Sequence, residues 1–426
     1  MRDMKDSGIE WLEDIPSHWQ VMPNKRIMKK EKDLCPKYQG EDILSLTMNG
    51  VIVRDLDAGG KMPTTFDGYQ RLHPGNLLMC LFDIDVTPRC IGLIKNEGLS
   101  SPAYSQFVLN EKAYAPYYYY YYLNLDHTKE LLHMAKNLRH SLTESQLGEI
   151  GVAVPPYAEQ VHIADYLDTQ LIKVDTLISN VEAQIEKLKT YKQSLITEVV
   201  TMGLAPTVPM KCSGYDCIRS FPAHWDICRL RNIGVPQNGI SKCGEYFGEG
   251  YPFVSYGDVY RNFSLPESVS GLIQSTENEQ ENYSVQAGDI FFTRTSETIE
   301  EVGFSCVCEK TIPNATFAGF LIRVRPFNDK LCTAYAKYYF RSNHLREFLV
   351  KEMNIVTRAS LGQNLLKNIP VLLPPTEEQL AIAKELDLRC QQIDRLIAIK
   401  QEKIEKLNQY KKSLIYEYVT GKKEVS

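Results

Sequence analysis

The chain has 426 residues, too many for one ordinary core, and its 43% hydrophobic and 24% charged content is that of a globular protein built from two or more domains. No apolar run reaches the ~18 residues of a membrane span, and Met1-Arg2-Asp3-Met4-Lys5-Asp6 leads into no apolar stretch of a signal peptide, so a cytoplasmic location is expected. The net charge of −5 neither supports nor excludes a nucleic-acid partner, because phosphate binding needs only a local basic surface.

Along the chain, Lys5-Asp6-Ser7-Gly8 and Ile15-Pro16-Ser17-His18-Trp19 come first. Short β-rich runs bounded by Gly, Pro or Asn come next, at Ile43 to Thr47 and Asn76 to Leu81. Tyr117 to Leu123, with Leu131-Leu132, predict one helix. Six consecutive tyrosines, Tyr117 to Tyr122, suggest an aromatic platform, but helical core packing is the favoured reading. After Pro155-Pro156, the residues Leu171, Val174, Ile178, Val181, Ile185, Leu188, Leu195 and Val199 step by three and four, the seam of a coiled coil. From Ala158 to Thr201 such a helix would run about 65 Å.

The order then repeats. Lys211-Cys212-Ser213-Gly214 and Phe221-Pro222-Ala223-His224-Trp225 return at an offset of 206 residues, and β-rich runs recur at Phe253 to Tyr256 and Asp289 to Phe292. Tyr335 to Phe340, with Phe348-Leu349, predict the matching helix. Pro374-Pro375 and Glu378-Gln379 repeat Pro155-Pro156 and Glu159-Gln160 at an offset of 219. The second seam is Cys390, Ile393, Ile397, Ile404, Leu407 and Leu414, with Lys192 and Lys411 on one shared seam position and Lys400 a third polar residue there. Thr376 to Gln379 reads as a capping box. Between the ends the offset drifts through 213, pairing Gly75 with Gly288 and Phe107 with Phe320, and small insertions are expected around Asn24 to Gly75 and near Asn110. The chain is thus a tandem duplication with matching ends and diverged middles. The expected fold is α+β: two pseudo-repeated domains joined by two long helices with coiled-coil seams.

Catalytic signatures are missing. There is no G-x-x-x-x-G-K-[ST] phosphate loop and no G-x-G-x-x-G between strand and helix. Val154-Pro155-Pro156-Tyr157 resembles the Asp/Asn-Pro-Pro-Tyr/Phe motif of adenine methyltransferases, but valine cannot hold a base's amino group. The Pro-Pro pair reads as strand-to-helix punctuation. Eleven scattered cysteines give no two pairs at zinc spacing and read as reduced thiols. His18 and His224, each in Pro-x-His-Trp, read as packing corners. Neither metal nor cofactor is expected. A pure coiled-coil scaffold would explain the helices but not two large, diverged heads.

Pro-x-His-Trp opening each half, Arg139-His140-Ser141-Leu142 and Arg358-Ala359-Ser360-Leu361, Pro-Pro-x-x-Glu-Gln, and helices ending in Tyr-Lys-x-Ser-Leu-Ile together resemble the specificity subunits of type I restriction–modification systems. The resemblance covers essentially the whole chain; it departs at Ile150-Gly151, where Ile-Pro is usual, and at Cys217 opposite Trp11. It implies target-recognition domains at residues 1–150 and 207–370 and spacer helix regions at 151–206 and 371–426. Each head would read one half of an asymmetric, bipartite site in double-stranded DNA, the two long helices would pack as an antiparallel coiled coil that gives the monomer a pseudo-two-fold axis, and the chain would have no catalysis of its own. Two methyltransferase (modification) subunits, carrying S-adenosylmethionine, and restriction/translocase subunits would be its partners. Base reading calls for polar side chains on loops. In the first head these are Thr47, Asn49, Arg54, Lys61, Arg71 and Arg89, and in the second Ser255, Asp258, Arg261, Arg294, Thr295 and Ser296. Arg139, Ser141, Arg358 and Ser360 repeat unchanged and are the expected phosphate anchors. Asp83 and Ser296 share one aligned slot with different chemistry.

Overall fold

The structure, a computed structural model, describes residues 3–58, 63–135, 140–205, 207–296, 302–352 and 359–425. It divides into two compact units: Met1–Val181 with Gln401–Ser426, and Glu182–Lys400. Each unit therefore holds one head, half of the long helix Tyr157–Met202 and half of the long helix Thr376–Val419. Val181 and Lys400, the last residues before each crossing, are aligned at the offset of 219.

The first head is built on an antiparallel four-stranded sheet in the order Met28–Glu31, Ser105–Leu109, Leu77–Met79, Ile91–Leu93. The second repeats that order with Gly234–Asn238, Leu321–Pro326, Ile290–Thr293 and Ser305–Val307. Strand register corrects one alignment. Phe107 stands opposite Leu77 and Val324 stands opposite Ile290, so Phe107 corresponds to Val324 and not to Phe320. The offset thus rises from 213 to 217 between Met79 and Phe107, so most of the second insertion falls there and not near Asn110. Each head also pairs its third strand with the strand that enters the long helix, Gln20–Pro23 with Gly151–Val154 and Asp226–Arg229 with Pro370–Leu373.

Five of the six consecutive tyrosines, all but Tyr119, are buried. Tyr117 Oη donates to the Val419 carbonyl (3.0 Å) and Tyr118 Oη to that of Ala153 (3.1 Å), so the run is core with its hydroxyls satisfied. The single helix expected there is two, Ala115–Thr128 and Glu130–Met134, broken at Lys129 with φ +60°. The second head likewise has Thr333–Tyr339 and Asn343–Glu352 in place of one helix.

The long helices of 46 and 44 residues carry their apolar seam inward. Leu171, Val174, Val181, Ile185, Leu195, Cys390, Ile393 and Leu414 are buried, and Ile178, Leu188, Ile397, Ile404 and Leu407 are half-buried. In the first unit Tyr166 packs on Tyr418 (ring centroids 4.7 Å) and Asp175 pairs with Lys411. In the second, Gln184 meets Lys400 (2.5 Å) and Lys192 pairs with Asp394 (2.6 Å). Residue numbers rise on one helix as they fall on the other, so the helix halves are antiparallel in each unit. The capping box expected at Thr376 does not form. Gln379 instead donates to Pro374 O and Lys330 O and accepts from Cys332 N, each at 2.8 Å, tying the helix start to its head. Gln160 does the same with Pro155, Lys112 and Tyr114.

Candidate nucleic-acid interface

In each head the repeated Ser-Leu segment runs beside the end of a central strand. In the second, Thr295 pairs with Ser360 and Ser296 with Ala359, and Leu361 N donates to Arg294 O (2.7 Å). In the first, Leu142 N donates to Leu81 O (2.8 Å) and Ile84 N to His140 O (3.1 Å). Leu81 and Arg294 are aligned at 213 and Leu142 and Leu361 at 219, so one hydrogen bond is made twice. Buried Leu142 and Leu361 hold the segments down. Serines that do not change thus lie alongside the slot that does, Asp83 or Ser296. Asp83 has φ +47°, and its carbonyl accepts from Val86 N (3.2 Å) and Thr87 N (2.9 Å), turning the chain tightly at the surface.

The remaining candidates disperse. Thr47 caps a hairpin turn, its Oγ1 accepting from Asn49 N and donating to Gly50 O, both at 3.1 Å, and Asn49 is exposed at the tip. Gly50 takes φ +95° there, a value that favours glycine. Half-buried Arg54 comes just after that hairpin, its N–H donating to Ile43 O (2.7 Å). Arg71 donates to Glu41 and to Cys35 Sγ, each at 3.2 Å. Backbone N–H groups of Gln39 and of Glu41 itself hold the Glu41 carboxyl below its ordinary pKa, with Arg71 adding to them. Half-buried Arg89 lies 3.4 Å from Tyr119 Oη. Ser255 and Asp258 form a reciprocal capping box on Tyr256–Arg261, which occupies their polar groups locally. Arg261 is exposed at the end of that helix, and Arg294 is half-buried. Ser360 is exposed and Ser141 half-buried. Lys61, Arg139 and Arg358 lie outside the described residues, as does the side chain of Ser296.

Sequence reasoning missed Arg341. Its guanidinium donates to Ser305 O (2.6 Å), Val259 O (2.8 Å) and Asn262 O (2.7 Å) and lies over the rings of Phe263 and Phe304. Burial pushes its pKa down to about 10, which leaves it charged at neutral pH. It fixes the loop and helix that present Arg261. The signal was the arginine ending Tyr338-Tyr339-Phe340-Arg341, an odd residue to close an aromatic run. Among the described residues no group of three or more His, Cys, Asp or Glu could hold a metal ion, and none of the eleven cysteines forms a disulfide. No described helix is long and apolar enough to cross a membrane.

Two sheet-based heads of one topology, each with a repeated segment beside a diverged one, on antiparallel helix halves, define a duplicated chain built to present two unlike surfaces. Residues 225–409 match the family described as type I restriction modification DNA specificity domain. The specificity subunit of the type I restriction enzyme EcoKI from Escherichia coli is 27% identical over 247 residues, 56% of this chain and 50% of that protein. That of MjaVIII from Methanocaldococcus jannaschii is 26% identical over 278 residues, 64% of this chain and 62% of that protein. The chain therefore spans about half to two thirds of the length of these relatives. In fold it is similar to a chain from a solved type I R-M system (TM-score 0.70, 16% identity, 95% of this chain and 98% of that chain). It is also similar to the HsdS subunit from Thermoanaerobacter tengcongensis (TM-score 0.51, 16% identity, 96% and 98%). By these comparisons the chain is similar, in sequence over part of its length and in fold over most of it, to type I restriction–modification specificity subunits.

Proposed function

We propose that this chain is the DNA-reading subunit of a cytoplasmic type I restriction–modification complex, with heads at residues 1–150 and 207–370 that each read one half of a bipartite, asymmetric site. The observation that carries this reading is the paired arrangement in each head. An unchanged serine segment, suited to phosphate, lies beside a diverged strand end suited to bases, as separate positioning and specifying contacts require. In the second head Arg294, Thr295, Ser296 and Arg261 are the base readers, and in the first Asn49, Arg54 and Arg89 with the turn at Asp83. Catalysis belongs to partners: two methyltransferase subunits and the restriction/translocase subunits. A doubled partner is supported by exposed apolar residues that recur on the long helices. Leu177 and Leu396 are aligned and each 48% exposed, and Tyr191 and Tyr410 are aligned at 55% and 52%. The test is methylome mapping of cells carrying the chain with its modification subunit. Methylated adenines should lie in a two-part motif, and exchanging residues 230–355 for those of a relative should change one half alone. Both halves changing together, or methyl transfer from labelled S-adenosylmethionine by the lone chain, would overturn it.

A further inference from the structure

One joint is built twice and no role has been assigned to it. In the first unit Glu159 Oε2 accepts from the indole N–H of Trp19 (3.0 Å) and lies 2.8 Å from His18 Nε2. In the second, Glu378 Oε2 accepts from Trp225 Nε1 (3.0 Å) and lies 2.8 Å from His224 Nε2. Both tryptophans are fully buried. The glutamate stands in the first turn of one long helix, and the last turn of the other reaches the same indole. Gly421, at φ +72°, leaves room for no side chain, since a Cβ there would stand 2.9 Å from Trp19 Cη2 and 2.4 Å from Pro16 Cδ. Gly203, at φ +77°, sits the same way, with its Cβ position 3.1 Å from Trp225 Cζ2 and 3.0 Å from Glu378 Oε1. Beside each glycine a buried tyrosine hydroxyl takes the last carbonyls of that helix, Tyr117 on Val419 and Tyr335 on Val200, both at 3.0 Å.

Three segments distant in sequence thus meet at one indole: the start of a head, the start of the helix on its C-terminal side and the end of the other helix. The geometry recurs in two heads whose intervening sequences have diverged, so it serves something both heads share. The histidine and glutamate side chains are partly exposed, at 47% and 21% and at 46% and 26%, which is more water than a pure core contact would keep. We infer that Glu159 with His18 and Trp19, and Glu378 with His224 and Trp225, are positioning residues that set the angle of each head on its helix pair and so the distance between half-sites that the chain accepts. The indole N–H and the single carboxylate oxygen give the joint one direction, which apolar packing alone does not supply.

This inference rests on the DNA-reading assignment, and the test separates the two. Duplexes carrying the mapped site, with the spacer unchanged or altered by one base pair, are titrated with the full chain in complex with its modification subunit. Wild type should prefer its own spacer by about tenfold, since a displaced head loses contacts of about that worth. Glu378→Ala should reduce the preference to roughly threefold or less, as should Trp225→Phe, which keeps the ring and removes the N–H. Glu378→Gln, which retains an acceptor for the indole, should restore the wild-type preference. A purely structural role would lower the active fraction and weaken all duplexes equally, leaving the ratios between spacers unmoved. Wild-type ratios in both Glu378→Ala and Trp225→Phe would overturn the inference alone. A wild-type complex that binds no mapped duplex would overturn the DNA reading and the inference with it.

Discussion

His344 is buried in the second head, with Nδ1 2.8 Å from Ser342 Oγ and its ring 5.0 Å from that of Tyr339, and burial pushes its pKa down to about 3. The folded head therefore holds it neutral where the unfolded chain, with a pKa near 6.5, takes up a proton. The pKa is depressed on folding, so the stability in question is intact above pH 6.5 and is lost as pH falls from there toward 3. At pH 5.5 the loss amounts to about 1.4 kcal/mol for one such group. Urea unfolding of wild type and His344→Gln between pH 7.5 and 5.5 should show a steeper decline in wild type; parallel declines would mean that the ring is protonated in the fold. In sequence His344 was one of eight scattered histidines, and nothing local marked it. Burial is a property of what packs from elsewhere, so a single residue's environment is the least legible level. The tyrosine run is the instructive opposite. Six adjacent aromatic rings cannot all face water without cost, so core packing was the better expectation from the sequence alone.

The long helices were legible because a three–four spacing is local and persists for about four heptads, from Leu171 to Val199. Their polar seam residues were legible only by half. Lys192 and Lys411 were visible as breaks in an apolar stripe, but their partners, Asp394 and Asp175, lie on the opposite helix at the position after a seam residue. The two pairs are the same two aligned sites exchanged between the copies, as antiparallel packing of a repeat with itself dictates. The Lys192 side chain is 20% exposed and Asp394 56%, so solvent screens the pair and its stabilising effect is modest. A double-mutant cycle with Lys192→Gln and Asp394→Asn should give a coupling of about 0.5–1 kcal/mol at low salt, nearly gone in 1 M NaCl. A coupling indistinguishable from zero at low salt would leave helix register to the apolar seam alone. The failed capping box at Thr376 belongs at this scale too. Local pattern proposed it, and a head backbone with unsatisfied groups at Lys330 and Cys332 claimed Gln379 instead.

At the scale of the molecule the duplication told the repeated order of sheet and long helix, through order and offset. It could not tell which helix half serves which head, because that depends on contacts between segments some 300 residues apart, such as Tyr117 with Val419. With those contacts known, the helices can be lengthened without touching either head. Both cross between units at aligned points, after Val181 and after Lys400, and the paired residues Asp175, Lys411, Lys192, Asp394, Gln184 and Lys400 all stay within their own units. Extending one helix alone would leave the other too short for both sets of pairs, so the insertion must be made in both. Four residues at each point add about 6 Å and rotate the downstream half of the helix by roughly 40°. DNA turns about 34° per base pair at roughly 3.4 Å per step, so the added length corresponds to nearly two steps and the added rotation to one. A full heptad fits worse. It would add about 10.5 Å, or three steps and roughly 100° of DNA twist, against only about 20° of helix phase. Paired four-residue insertions should therefore keep both half-sites and lengthen the nonspecific spacer by one or two base pairs, as read by methylome mapping. An active variant that retained the original spacer would show that the helices do not set it, and one that altered a half-site would show that the heads do not read on their own.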